Sequence, residues 1–343
     1  GREFNEECEE LIYLEGRSLY LGMCHRHFGH FLIETVARLG LLNSKELEEY
    51  DNILLLCHEN EIPQFVREFF ELFGLTSKVI FITKATKCEN LTVLSQIIFY
   101  PKDVSKYVSE VAAVLREGDS KVGGENLVYL SRLNLKPGRE RVIIGENYIE
   151  DILSGSGFKC IHPESLSLKE QIDVLEKASV VVGNAGSAFH TNILTKNINH
   201  NIYYGSRKHP KLFSRIDRIL GNKSDAIEAR LDYSIGMATG YRYGFSPEIV
   251  NPELVLNKLK SKGLVSNVEF KLTDKICRDL IEKYNSSLLL RALFVEEQFK
   301  SFEYCDSLKN EFLKLYPVNW GIIHKSMHET SVFVKYFEAM TKA

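Results

Sequence analysis

The chain has 343 residues and a net charge of −3 at pH 7, with the apolar and charged fractions of an ordinary globular protein. This length predicts two domains, and the weak negative charge argues against a nucleic-acid partner. Seven cysteines without any C-x-x-C pair indicate reduced thiols in a cytoplasm-like compartment and argue against a structural zinc site. We expect neither a secretory signal nor a membrane span.

The first 120 residues alternate between β-rich runs and helical periodicity. One or two strands are predicted at 11–21, and single strands at 53–57, 78–82 and 91–100. Helices are predicted at 27–42, 63–73 and 104–116. A loop rich in charge and glycine follows at 117–125, and we interpret it as the domain junction. Residues 1–120 are therefore predicted to form an N-terminal Rossmann-like domain.

The same alternation restarts after the loop. Strands are predicted at 127–131, 158–161, 180–182 and 201–204, and helices at 147–153, at 167–178 and after Gly186. Ser167 and Glu170 form an S-x-x-E capping box. Repeated β–α alternation favours an α/β fold with a parallel sheet and helices on both faces. Residues 121–250 are predicted to form a second Rossmann-like domain, with ligands at the carboxyl ends of the strands.

The pattern changes to helices alone near the C-terminus, so residues 251–343 are predicted to be a mainly helical segment. Helices are predicted at 276–284, 288–304, 309–315 and 332–340. The sequence leaves three roles open for this segment, namely packing across the first domain, homo-oligomer formation and peripheral docking on a membrane surface.

Residues 180–194, VVVGNAGSAFHTNIL, predict an anion site. A buried strand, a glycine turn and a helix follow one another, so the backbone of Gly186–Ala188 can approach a phosphate and present free N–H groups to it. Ser187 and His190 could bind the same group. The stretch matches neither G-x-G-x-x-G nor the P-loop, which argues against NAD binding and ATP hydrolysis. Simple chain reversal, with His190 as a core histidine, is the alternative interpretation.

His30 and Glu34 are candidates for general-base catalysis. Their i, i+4 spacing places them on one face of the helix predicted at 27–42. A carboxylate orients an imidazole and raises its basicity, so either group could be the base. Incidental histidines on an amphipathic helix are the alternative. His25 and His27 lie nearby, but no further ligand falls at metal-binding spacing, so we expect no metal.

Three segments resemble one enzyme family, namely GHFLIETVARL (29–39), YLSRLNLKPGRERVIIGE (129–146) and IHPESLSLKEQIDVLEKASVVVGNAGSAFHTNIL (161–194). Their order and spacing are similar to those of the inverting glycosyltransferases that include plant xylan xylosyl- and arabinosyltransferases. The same family holds protein O-linked N-acetylglucosaminyltransferases that act on extracellular domains, and bacterial capsular polysaccharide biosynthesis proteins. The family's Asn-Glu pair appears here as Gly145-Glu146.

The resemblance implies a GT-B fold, in which two Rossmann-like domains face a cleft and the second one binds the nucleotide sugar. It also implies roles for Arg132 at the diphosphate and for Glu164 at the ribose or uracil. An arginine is chemically reasonable, because a helix N-terminus is worth only about 0.3–2 kcal/mol to an anion. A charge-assisted hydrogen bond adds roughly 1.5–3 kcal/mol.

The sequence therefore predicts a metal-independent inverting glycosyltransferase that uses no cofactor. It would move a hexose or pentose from a nucleotide sugar, expected to be a UDP-sugar, to a saccharide acceptor in surface-glycan or capsule biosynthesis. We expect it in the cytoplasm or at the inner face of the membrane. The alternative is a non-catalytic nucleotide-binding module, or a partner-binding module that works through the helical tail.

Overall fold

The computed structural model describes most of the α/β region of the chain. The described residues are 11–57, 61–99, 103–116, 121–122, 124–135, 142–205, 211–229, 247–266, 268–284 and 287. They fall into two units that do not follow chain order. The first unit takes the described residues within Gly1–Ser131, Gly157–Tyr204 and Lys208–Ile227, and the second takes those within Arg132–Ser156, Gly205–Arg207 and Glu228–Ala343.

The first sheet of the first unit has four parallel strands in the order β3-β2-β1-β4. They are β1 (Ile12–Met23), β2 (Asn52–Leu56), β3 (Val79–Ile82) and β4 (Thr86–Val93). The chain places β2 and β3 on one side of β1 and then returns to place β4 on the other side. The carboxyl end of β1 is therefore a topological switch point, where open α/β sheets bind their ligands.

A continuous helical segment follows β1, but it is not a regular α-helix. It begins as α1 (Phe28–His30), passes through a π-helical turn (Phe31–Thr35) and ends as a 3₁₀ helix (Val36–Leu41). The prediction of a helix at 27–42 is confirmed in extent, whereas its regular periodicity is wrong. Its apolar side chains are buried against the sheet, and they include Phe31, Leu32, Val36 and Leu39.

The remaining elements of this region are short. Helices α2 (Ser44–Glu48), α3 (Gln64–Leu72) and α4 (Val111–Leu115) flank the sheet, and a 3₁₀ turn at Lys106–Glu110 leads into α4. The strand predicted at 91–100 is instead the end of β4 and a two-residue strand, Ile98–Phe99, antiparallel to Asp103–Val104. Within the loop predicted at 117–125, Lys121–Val122 pairs in parallel with Asn197–Ile198, while 117–120 and 123 lie outside the described residues.

The second sheet has the order β6-β5-β7-β8-β9. Its strands are β5 (Asn126–Leu130), β6 (Lys159–Ile161), β7 (Ala178–Asn184), β8 (His200–Gly205) and β9 (Lys223–Glu228). The first four of these pair in parallel, with Val182 between Tyr129 and Ile202. The chain places β6 on one side of β5 and β7 on the other, so this sheet also has a switch point, at the carboxyl ends of β5 and β7.

Two helices accompany the second sheet. Helix α5 (Leu168–Leu175) begins at the predicted capping box, which is confirmed because Ser167 Oγ accepts from the amide of Glu170 and the Glu170 carboxylate accepts from the amide of Ser167. Helix α6 (Lys211–Leu220) buries Leu212 and Ile216 in the same core as α1 and the first sheet. A 3₁₀ turn, Pro163–Ser165, precedes α5.

Helix α6 also carries a buried carboxylate. Asp217 is 2% exposed and accepts hydrogen bonds from the Asn201 amide (2.6 Å), the Tyr203 hydroxyl (2.6 Å) and the Asn222 amide (3.3 Å). Burial raises the pKa of Asp217 from its usual 3.8 to about 6, although the three donors oppose the shift. These bonds join α6 to β8.

The second unit has its own small core. Helix Glu146–Gly155 follows the strand Ile143–Ile144, which pairs in parallel with Glu248–Ile249, and helix Pro252–Ser261 comes next. Residues 274–284 are helical, as predicted for 276–284, and the core contains Val142, Ile144, Ile249, Leu280 and Tyr284. The helices predicted at 288–304, 309–315 and 332–340 lie outside the described residues. Within the described part of the chain, no helix is both long and apolar enough to cross a membrane.

Candidate functional site

The backbone of Gly186–Ala188, which was predicted to bind an anion and which we call the anion turn, lies just after the carboxyl end of β7. Gly186 has extended backbone (φ −158°) and precedes an eight-residue 3₁₀ helix, Ser187–Leu194. The helix predicted after Gly186 is therefore present, and it is of the 3₁₀ type. Phe189 donates the first turn's amide hydrogen bond to the carbonyl of Gly186 (3.1 Å). The amides of Ser187 and Ala188 come before this bond, where helical N–H groups lack a partner within the helix and suit an anion.

His190 lies one turn into this helix and is 6% exposed. Its ring stacks on Phe213, with the centroids 4.6 Å apart and the planes 7° from parallel. Burial, together with the nearby His27 and His30, lowers the pKa of His190 from 6.5 to about 3, so the ring is neutral at pH 7. No described residue forms a hydrogen bond with its Nδ1 atom. His190 is thus a buried histidine whose Nδ1 atom could still form a hydrogen bond.

The predicted base pair lies at the carboxyl end of β1. His30 Nδ1 is 2.5 Å from Glu34 Oε1, so the π-helical turn keeps the predicted i, i+4 contact. His25 Nε2 is 3.4 Å from the other carboxylate oxygen of Glu34. The rings of His25 and His27 lie 5.7 and 5.0 Å from that of His30, measured between centroids. We call these four residues, His25, His27, His30 and Glu34, the histidine cluster.

The members of this cluster differ in their exposure to solvent. The His30 side chain is 52% exposed, whereas those of His25 and Glu34 are 23% and 28% exposed. Burial lowers the pKa of His25. The charge of Glu34 opposes this shift, whereas His30 and Arg38 add to it. A substrate can therefore reach His30, while Glu34 is held between two imidazoles.

Gly29 brings the histidine cluster and the anion turn together. A Cβ atom on Gly29 would lie 2.8 Å from Ser187 Cβ and 3.3 Å from both His190 Cδ2 and His27 Cε1. Only a glycine allows this approach without displacing the turn. The first unit therefore places the predicted base pair beside the predicted anion turn. Because each group follows a strand at a switch point, both occupy the position where α/β sheets bind ligands.

Glu164 and Arg132 are the other residues predicted to bind the nucleotide-sugar donor. Glu164 is exposed in the turn Pro163–Ser165. Arg132 belongs to the second unit, where its amide donates to Glu146 Oε1 (3.0 Å). Gly145 has a positive φ of 97°, a conformation that asparagine adopts more readily than most residues. This explains how glycine can replace the asparagine found at this position in the family that the sequence resembles. The roles of Arg132 and Glu164 stay predictions.

Sequence reasoning did not assign a function to His25 or Gly29. A glycine inside an apolar helical pattern often marks a close approach of two backbones, which is the signal that could have identified Gly29. Asn192, in the helix after the glycine turn, is buried at 1% exposure, and its side chain contacts those of Asn199 (3.2 Å) and Asn201 (3.5 Å). It holds the chain reversal before β8.

Among the described residues, no group of three or more histidine, cysteine, aspartate or glutamate side chains is placed to hold a metal ion. Metal-independent activity stays a prediction.

Comparisons with known proteins identify a family and a similarity to solved structures. No curated protein matches the chain. Among solved structures, the chain is similar to the dodecameric iron-containing heptosyltransferase TibC, determined in complex with ADP-D-beta-D-heptose, at 14% identity and a TM-score of 0.28. The match covers 57% of this chain and 60% of that one, so the chain spans less than two thirds of the relative's length. The model of the glycosyltransferase 61 family matches residues 28–198, which include His30 and Glu34 of the histidine cluster and the anion turn, and the chain belongs to this family.

Proposed function

We propose that this protein is an inverting glycosyltransferase that moves a sugar from a nucleotide-sugar donor to a saccharide acceptor. One observation carries the proposal, namely the contact that Gly29 makes with Ser187 and His190. It places an exposed imidazole–carboxylate pair next to a helix start that suits an anion. Glycosyl transfer needs both groups, because the acceptor hydroxyl loses a proton while the diphosphate leaves. The family match supports the same reaction class.

On the acceptor side, His30 is proposed as the general base. Its Nδ1 atom faces Glu34, so Nε2 is the atom that would take the acceptor's proton. Glu34 would hold the ring in the tautomer with hydrogen on Nδ1 and stabilise the imidazolium as it forms. The acceptor oxygen then forms the new bond to the anomeric carbon as the bond to the leaving phosphate breaks. His25, on the other oxygen of Glu34, is proposed to orient that carboxylate.

On the donor side, the amides of Ser187 and Ala188, the Ser187 hydroxyl and His190 are proposed to bind the leaving diphosphate. The chain reversal at Gly186 brings backbone rather than side chains to the anion. We further propose a UDP-sugar donor, a saccharide acceptor in surface-glycan or capsule biosynthesis, and action at the cytoplasmic side of the membrane. The GT-B arrangement and the roles of Arg132 and Glu164 are proposed from the family resemblance.

The test is sugar transfer by the purified full chain, with UDP-, GDP-, ADP- and CMP-sugars as donors and EDTA present. We expect activity with one nucleotide class. Loss of the base should reduce turnover by ~10²–10⁴-fold in His30→Ala, with nucleotide binding retained. His200→Ala is a matched control, because His200 pairs with Asp225 at the amino end of β8, away from the turn. Nucleotide binding without turnover by the native chain would instead favour the non-catalytic module.

A further inference from the structure

Cys24 immediately precedes the histidine cluster in the chain, and Cys57 lies beside it at the end of the neighbouring strand. Cys24 follows β1 and Cys57 follows β2, two adjacent parallel strands in which Met23 is paired with Leu56. The Cys24 amide donates to the carbonyl of Leu56 (2.9 Å), so Cys24 and Cys57 are the next pair in register. Adjacent strands are about 4.7–4.9 Å apart, and residues paired in register point to the same face. Cα atoms separated by about 4.4–6.8 Å can be bridged by a disulfide.

The two thiols are reduced and close enough to interact. Each thiol affects the pKa of the other, since Cys57 lowers that of Cys24 and Cys24 raises that of Cys57, and the Cys57 sulfur lies 3.8 Å from the carbonyl of Leu55. Cys57 is 6% exposed, whereas Cys24 is partly exposed. The positive charge of Arg67 favours the thiolate of Cys24. An external reagent would therefore meet Cys24 first, with Cys57 behind it.

We propose that Cys24 and Cys57 are a modification site at which exchange with a small-molecule disulfide, such as oxidised glutathione, forms a reversible intramolecular disulfide. The Cys24 thiolate attacks the external disulfide, forms a mixed disulfide and releases one reduced thiol. The Cys57 thiolate then attacks the sulfur of Cys24 and releases the second. The protein loses two electrons and two protons, and the external disulfide gains them as two thiols.

The crosslink would act on the histidine cluster through the backbone. Cys24 is bonded to His25, whose Nε2 is 3.4 Å from Glu34, so joining Cys24 to β2 fixes the start of the segment that carries the base pair. This consequence depends on the proposed function, whereas formation of the crosslink does not. Burial raises the pKa of both thiols, that of Cys57 to about 12, so the exchange requires a long incubation.

The test uses the folded full chain in glutathione buffers of increasing oxidised fraction, followed by alkylation, digestion and mass spectrometry of all seven cysteines. We expect a peptide pair joined at Cys24 and Cys57 that has lost two hydrogens and is restored by dithiothreitol. Cys88→Ser, a cysteine on β4, should behave like the native chain. Cys57→Ser should stop at a glutathione adduct on Cys24.

Two results would overturn the crosslink. One is alkylation of both Cys24 and Cys57 in the most oxidising buffer, while circular dichroism shows a folded protein. The other is a disulfide from either residue to a different cysteine. Sugar transfer is measured on the same samples, and absence of transfer in the reduced chain would contradict the proposed function while leaving the crosslink result intact. If transfer is present, the oxidised native chain should turn over at a different rate, and oxidised Cys88→Ser should match it.

Discussion

Replacing Gly29 by alanine tests the contact between the histidine cluster and the anion turn. The new Cβ would lie 2.8 Å from Ser187 Cβ, an atom fixed to the backbone rather than the end of a flexible chain. Carbon atoms pack best at about 3.5–4.0 Å, so the turn or α1 must move by about 0.7 Å or more. Overpacking of this kind costs about 1–3 kcal/mol. Alanine's helical preference over glycine offsets about 1 kcal/mol, which leaves a net loss of about 0–2 kcal/mol.

Gly155→Ala is the matched control. Gly155 also lies in a helix, and nothing is within 4 Å of a Cβ added there. Urea unfolding should therefore find Gly29→Ala less stable than Gly155→Ala by ~1–3 kcal/mol, because the gain in helical preference is common to both. Turnover by Gly29→Ala should also fall, because a shift near 1 Å in the catalytic groups can cost ~10²-fold in rate. Equal stability and equal turnover in the two variants would refute the close approach.

Three further predictions address the site and its support. Glu34→Gln should keep nucleotide-induced stabilisation but lower turnover by ~10²-fold or more. His25→Ala should lower turnover less, because His25 acts only through Glu34. Equal losses of turnover in transfer assays of the two variants would contradict this order. Asp217, with its pKa raised to about 6, binds a proton between about pH 4 and 6 that the unfolded chain has released, so unfolding free energy should fall as pH rises through this window by up to ~3 kcal/mol. This slope should vanish in Asp217→Asn, and a slope common to both proteins would argue against it. Ser167→Ala should cost ~1 kcal/mol in urea unfolding through loss of the capping box, and no change would show that the cap is dispensable.

Local sequence signals predicted the elements whose structure depends on local interactions. The capping box at Ser167 and the strands at 53–57, 127–131 and 158–161 were predicted to within one residue, because hydrophobic periodicity and side-chain caps act over a few residues. The π-helical turn at Phe31–Thr35 and the 3₁₀ helix at Ser187–Leu194 were not, because packing against the sheets sets the turn type. The sequence analysis predicted no helix in the region of α6. By contrast, the helix predicted at residues 276–284 is present.

The candidate site divides in a similar way. The contact between His30 and Glu34 follows from their spacing, and the strand–glycine-turn–helix order indicated the anion site. Their proximity depends on two switch points meeting, which requires the order of both sheets and cannot be read from either segment alone. The same holds for His25, whose contact with Glu34 comes from the path of the chain after β1.

The most direct test of the central claim is a histidine-ring NMR experiment on the folded chain, with the nucleoside diphosphate that stabilises it best against heat. If the anion turn and the histidine cluster form one site, the nucleotide should shift the ring resonances of His27, His30 and His190. It should leave the ring of His200, at the far end of β8, unchanged. A nucleotide that raises the unfolding temperature while the resonances of His27 and His30 stay in place would contradict the account.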